Sequence, residues 1–263
     1  MKPVRVAFVE WPEGLVAAGA QWDQLKNSVA AARPDILLTN ELPFGPWVAD
    51  ADTFSRDAAQ HSIDFHERGL AALTSLGTGL AIPAVISSRP VWNGARLANE
   101  AFVIENGSVR ALHRKQYFPN EPGWFESNWY AGDASGFNAA KIAGVNVGVL
   151  ICTEAMFNER ARAYKKQNVA LIVIPRASGT NIESWKIAGA MASLVSGAYV
   201  ASSNRVGRSA GGTHFGGGGY AYAPEGRLLA VTSAAAPLQT FDLDPQIAAS
   251  AQREYPCYVP ELE

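Results

Sequence analysis

Cysteine is scarce: Cys152 and Cys257 are the only two in 263 residues, too few for a disulfide framework, and both are read as thiols. Histidine is scarce too, and none of His61, His66, His113 and His214 has a persuasive setting for a general base. Neither sign of charge dominates. With 22 Lys plus Arg against 24 Asp plus Glu the net charge is −2, which offers nothing to attract nucleic acid or an anionic membrane. No apolar run approaches the roughly 20 residues of a membrane span, and Pro12, Glu13 and Gly14 come too early for a signal peptide. A cytoplasmic location is the default expectation. No linker or short repeat interrupts the chain, so residues 1–263 read as one domain, and a hydrophobic content of 48% suffices for a large core.

The glycine-rich stretch from Gly211 to Gly219 lacks the Gly-Lys-Ser/Thr ending of a phosphate cradle, and no strand–GxGxxG–helix order surrounds it. Close backbone approach or a mobile loop is expected there instead.

What is present is an alternation of strand and helix. Period-two or continuous apolar patterns at 4–11, 35–42, 80–87, 169–177 and 200–205 predict strands, and three- and four-residue spacing at 22–32, 52–76 and 183–199 predicts helices. On the last, Trp185, Ala188, Met191, Ala192, Val195 and Tyr199 share one apolar face. Asn106-Gly107 between alternating flanks marks a hairpin, and 117–133 reads as an aromatic-rich loop. Helices alternating with hairpin-broken strands argue an α/β sandwich of mixed sheets.

The stretch 144–162 organises the rest. Val145, Val147, Val149 and Ile151 alternate as a strand that ends at Cys152, and Ala155, Met156, Glu159, Arg160, Ala163 and Tyr164 take up helical spacing, so a helix is expected just after the cysteine. A thiol at such a turn is pushed out of the sheet beside amide groups that favour negative charge. A small buried hydrophobe is the plainer alternative. Amide hydrolysis by a thiol also needs a base and oxyanion donors, and carboxylates at strand ends are the better base candidates. Glu41 and Lys115 stand at such ends, the edge where α/β sites form, although either could be an ordinary surface charge.

"NELPFG" around Glu41, "HRKQYFP" around Lys115 and "GVLICTE" around Cys152, in that order, resemble the Glu-Lys-Cys triad of the nitrilase superfamily of carbon–nitrogen hydrolases. "PNEPGWFESNWYAGD" is similar to the segment with that family's second glutamate, which falls on Glu126; "NRVG" at 204–207 and "HFGGGGYAYAPEG" at 214–226 resemble its C-terminal motifs. Two positions depart. Thr153-Glu154 follows the cysteine where many amidases of the family have Tyr-Asp and nitrilases Trp-Glu, and Gly219 stands where serine is frequent.

The resemblance implies a four-layer α-β-β-α sandwich of two mixed sheets, a homodimer or higher homo-oligomer, a small-molecule substrate, and thioester chemistry without metal or cofactor. It implies Glu41 as base and acid, Cys152 as nucleophile with a thiol pKa lowered by Lys115, and Lys115 with the Thr153 N–H as oxyanion donors. Glu126 is expected to hold substrate or water, or simply to pair with Lys115. Arg176, at the mouth of a strand, would be desolvated unless it met an anion. It therefore points to a carboxylate-bearing amide or N-carbamoyl compound, or to an internal pair with Glu154 or Glu183. Trp124, Phe125, Trp129 and Tyr130 are candidate pocket walls, with core or dimer contacts as the alternative. Nitrile hydrolysis and a vestigial-site scaffold are the competing functions.

Overall fold

In β1 (Val4–Val9), Val6 and Phe8 face one way and Ala7 and Val9 the other, and all four are fully buried. A strand buried on both faces must lie between two layers. The computed structural model, which describes residues 2–133 and 136–261, shows both of them.

The first half of the chain runs β1, α1 (Gly19–Ala32), β2 (Ile36–Leu38), α2 (Arg56–Gly79), β3 (Ala84–Asn93), β4 (Arg96–Glu105) and β5 (Ser108–Arg114). The second half opens with the single turn α3 (Glu126–Trp129) and continues with β6 (Ala140–Ile142), β7 (Val145–Val149), α4 (Asn158–Lys165), β8 (Leu171–Arg176), α5 (Ile182–Ser196) and β9 (Tyr199–Asn204). It closes with the short strands β10 (Val206–Arg208), β11 (His214–Gly216), β12 (Tyr220–Tyr222) and β13 (Leu228–Val231), then β14 (Leu238–Leu243) and α6 (Pro245–Ala251).

Two six-stranded mixed sheets result, in the orders β14-β1-β2-β3-β4-β5 and β13-β12-β9-β8-β7-β6. In each, three central strands are parallel and the flanking strands antiparallel. Val6, Phe8, Ile36 and Ile86 of the first sheet pack against Val147, Val149, Leu171 and Val173 of the second. The opposite faces are covered by helices. Ala7, Val9, Leu37 and Val85 meet Trp22, Val29, Leu73 and Leu76 of α1 and α2, while Ile172, Ile174 and Val200 meet Tyr164 and Ala192 of α4 and α5. This is the expected α-β-β-α sandwich. Hydroxyls stitch the sheets across their shared face, where Ser203 Oγ donates to the Leu38 carbonyl at 2.9 Å and accepts from Val9 N–H at 3.0 Å.

Three local expectations need correction. The strand around 35–42 is only Ile36–Leu38, because the chain turns at Leu42, whose φ is +45°. The helix after the cysteine is delayed. A 3₁₀ turn spans Cys152–Met156, and α4 begins only at Asn158, because the Glu154 side chain turns back to the Ile151 N–H at 2.7 Å. On α5 the buried positions are Ala188, Gly189, Ala192, Ser193 and Ser196, while Met191 is outward with Ile187 and Leu194. Small residues face the sheet because a Cβ on Gly189 would come within 2.3 Å of the Tyr220 ring.

The last turn of α4 supports the strand that carries the cysteine. Tyr164 Oη donates to the Val149 carbonyl at 2.7 Å and accepts from Val149 N–H at 3.0 Å. Tyr164→Phe leaves both buried backbone groups unpaired and is expected to cost about 1–3 kcal/mol, read as a lower urea midpoint with an unchanged slope. An unchanged midpoint would show that these bonds add nothing.

Candidate active site

Glu41 follows β2, Lys115 follows β5, and Glu126 opens α3, so three separate backbone turns deliver them to one end of the first sheet. All three side chains are fully buried. Lys115 Nζ donates to Glu41 Oε1 at 2.8 Å and to Glu126 Oε2 at 2.6 Å. Glu41 is held further by Asn99 Nδ2 on Oε1 at 2.7 Å and by Ala177 N–H on Oε2 at 2.9 Å. Three donors on a carboxylate leave it one open acceptor direction, on Oε2. Glu126 is less completely held: its Oε1 is buried with no partner among the described residues.

Cys152 comes from the second sheet. Its φ is +49°, a left-handed conformation that costs a non-glycine residue energy and recurs at functional turns. Sγ lies 3.9 Å from the Ala177 carbonyl, the same residue whose N–H holds Glu41. Thr153 is the next residue of the 3₁₀ turn, and N–H groups in a first helical turn have no acceptor within the helix.

Burial dominates the electrostatics. It would lower the Lys115 ammonium, but Glu126 and Glu41 outweigh it and hold the pKa well above the usual value. Burial lifts Glu126 to about 7 in spite of Lys115, with Glu41 adding repulsion. Burial and then Glu41 push the Cys152 thiol up, against the pull of Lys115. The expectation of a lowered thiol pKa is thereby reversed: burial, reinforced by the carboxylates, outweighs the one ammonium.

The thiol opens into a cavity of about 350 Å³. Glu121, Trp124, Glu126, Thr153, Ser178 and Trp185 are among its walls. Glu41, Lys115, Cys152 and Glu126 are thus brought together, with Thr153 and Trp124 beside them.

The other expected site residues lie elsewhere. Arg176 is fully buried and is not in the cavity wall. Its Nε donates to Ser202 Oγ at 2.7 Å, Nη1 to Ser178 Oγ at 2.9 Å and Nη2 to the Gly218 carbonyl at 2.9 Å. It pairs with neither Glu154 nor Glu183; neutral acceptors and the rings of Trp185 and Tyr220 satisfy it, and burial lowers its pKa. The carboxylate clamp is withdrawn. Arg176 instead ties the glycine stretch to Ser178, and that stretch needs its glycines: a Cβ on Gly219 would stand 2.6 Å from the Ser202 carbonyl. Phe125, Trp129 and Tyr130 also stay out of the cavity wall. Trp129 is buried with Nε1 on the Ala51 carbonyl at 2.7 Å, Tyr130 stacks on Phe118, and Phe125 N–H is held by the Ala49 carbonyl at 2.9 Å.

Sequence reasoning missed Glu154. Its carboxylate is fully buried and accepts from Ile151 N–H, from Gln116 N–H at 2.7 Å, and contacts His113 Nε2 at 2.9 Å. One side chain thus ties the residue before the cysteine to the residue after the lysine. The signal was there, since His113 is two residues before Lys115 and Glu154 two after Cys152.

Against this geometry, the carbon–nitrogen hydrolase family model matches residues 41–253, and the chain belongs to that family. A glutamine-dependent NAD(+) synthetase of Xanthomonas campestris pv. campestris is 27% identical over 66% of this chain and 31% of its own length. The N-carbamoylputrescine amidase of Oryza sativa subsp. japonica is 33% identical over 44% of this chain and 41% of its own. The chain therefore spans less than half the length of these relatives. Among solved structures, a carbon–nitrogen hydrolase from Helicobacter pylori G27 superposes with a TM-score of 0.86 at 17% identity, covering 97% of this chain and 94% of that one. An amidase from Nesterenkonia sp. AN1, seen with the acetamide moiety of fluoroacetamide added to its active-site cysteine, has a TM-score of 0.78 at 20% identity, covering 95% and 93%. Both share the fold.

Two outcomes follow from the buried charges. Glu126 binds its proton more tightly folded, near pH 7, than its ordinary 4.5, so the stability it contributes is full below about 4.5 and lost as pH rises through 7. Wild type should therefore lose stability relative to Glu126→Gln between pH 4.5 and 7.5, by up to roughly 3 kcal/mol in urea unfolding; parallel pH profiles would contradict this. Glu154→Gln keeps the shape but cannot accept at both oxygens, so it should slow alkylation of Cys152 at least about tenfold while the protein remains folded by circular dichroism.

Proposed function

We propose that the chain hydrolyses a primary amide or an N-carbamoyl group through a covalent bond to Cys152. The observation that carries this reading is the buried Lys115 held between Glu41 and Glu126, next to a cysteine in left-handed conformation at the wall of a cavity. Relatives named for a glutamine amide and for a carbamoyl compound support it.

Glu41, through its open acceptor direction, takes the thiol proton as the Cys152 sulfur bonds to the substrate carbon. The carbonyl π pair moves to oxygen, where Lys115 and the Thr153 N–H stabilise it. Collapse breaks the carbon–nitrogen bond, and the nitrogen takes the proton from Glu41 and leaves as ammonia. Water then adds to the thioester, or to its carbamoyl counterpart, giving a proton to Glu41. The second collapse breaks the carbon–sulfur bond and the proton returns to sulfur. Glu126, a residue of the cavity wall whose Oε1 has no partner among the described residues, is the acceptor for a substrate N–H or for the water. A high resting thiol pKa fits this sequence, because the proton leaves only as the sulfur attacks.

Ammonia release from amides and N-carbamoyl compounds is the test. Cys152→Ala should abolish it, and Glu41→Gln should lower kcat by about 10²–10⁴. Undiminished release from Cys152→Ala would sink the covalent route, and release from nitriles alone would assign the other branch of the superfamily.

A further inference from the structure

The cavity above Cys152 is acidic at both ends. Glu126 lies at its base and Glu121 at its rim, and no Lys, Arg or His is among the described residues lining it. The nearest cations are spent: Lys115 lies between two carboxylates, and Arg176 is engaged by Ser202, Ser178 and Gly218 behind Trp185. Lys186 is paired with Glu183 at 2.8 Å.

Glu121 is exposed, and no hydrogen bond or ion pair engages its carboxylate among the described residues, yet its backbone is fixed. Residues 121–124 form a type II turn, with Trp124 N–H on the Glu121 carbonyl at 2.8 Å, Pro122 at the second position and Gly123 at φ +87°. Two hydrogen bonds anchor that turn. Trp47 Nε1 donates to the Gly123 carbonyl at 2.9 Å and Trp124 Nε1 donates to the Ala177 carbonyl at 3.1 Å, and the turn lies so close to Thr213 that a Cβ on Gly123 would stand 2.5 Å from its Oγ1. The turn thereby fixes the backbone from which Glu121 reaches the rim of a cavity also lined by Trp124 and Trp185. A carboxylate and aromatic faces together recognise an ammonium or guanidinium, and they repel a carboxylate.

Building on the proposed amide hydrolysis, we infer that Glu121 selects substrates whose end remote from the scissile group is cationic. In this assignment the amide or carbamoyl carbon sits at Cys152, an aliphatic chain lies along Trp124 and Trp185, and the cation reaches Glu121. This replaces the acidic substrate expected from Arg176 with the opposite charge.

The test is a matched series of primary amides of equal chain length, ending in an ammonium, a methyl or a carboxylate, assayed for ammonia release with wild type, Glu121→Gln and Glu121→Lys. Wild-type kcat/KM should fall in that order. The ammonium-over-methyl ratio should drop about tenfold in Glu121→Gln, through KM and not kcat. Glu121→Lys should favour the carboxylate end. A wild-type preference for the carboxylate, or equal losses on all three amides in Glu121→Gln, would overturn the assignment. Calorimetric binding of the same three amides to Cys152→Ala, with and without Glu121→Gln, separates the two proposals. Tighter binding of the ammonium end that needs Glu121 supports the selectivity even if wild type releases no ammonia, whereas equal binding of all three ends refutes it even if wild type is active.

Discussion

A fully buried ammonium is the constraint on which the rest of this structure depends. Removing Lys115 from water costs several kcal/mol that only close, well-aligned anions can offset, and removing one partner from such a group strands a charge. Two carboxylates more than neutralise it. Burial, with the neighbouring carboxylates adding repulsion, then raises Glu126 to about 7 and pushes the Cys152 thiol up. Glu126 Oε1, without a partner among the described residues, belongs to the same arrangement. Groups left unsatisfied beside a pocket cost stability and leave acceptors and donors available for a ligand.

The ionic cluster belongs to the first sheet and the thiol to the second, so neither sheet alone contains the site. Their docking sets its geometry. Ser203 bridges β9 to β1 and β2, Ala177 at the end of β8 binds Glu41, and Glu154 joins the loop after β5 to the end of β7. Arg205 binds Glu13 and the Leu42 carbonyl behind Glu41. Left-handed backbone at Leu42 and Cys152, next to each functional side chain, persists because these contacts over-determine it.

Much of this could be read from the chain. Period-two strands, the Asn106-Gly107 hairpin and the turn at Cys152 are local signals, and the structure has them; the four residues Glu41, Lys115, Glu126 and Cys152 meet as the resemblance implied. What failed was inference about where a side chain points. Arg176 was read as needing an anion, but a guanidinium can be satisfied by two serines, a carbonyl and two rings, none of which is visible from its sequence neighbours. Met191 fits an apolar helical face by spacing, yet Gly189, Ser193 and Ser196 allow the close approach and turn it outward. Glu154 looked like a mere departure because its partners are 38 and 41 residues away along the chain.

The raised thiol separates this site from one that stores a thiolate. A thiolate here would be buried and would face Glu41 and Glu126, which Lys115 does not outweigh, and this holds the thiol pKa up. In the proposed reaction the proton therefore moves during attack, which makes the direction of the base more important than its strength. Glu41 meets that demand because Lys115, Asn99 and Ala177 occupy its other acceptor positions. The same three donors fix the carboxylate's orientation, so its one open acceptor direction has a fixed aim. The direction of the base is thus set by one group of hydrogen bonds, and that group begins with the ammonium that had to be buried.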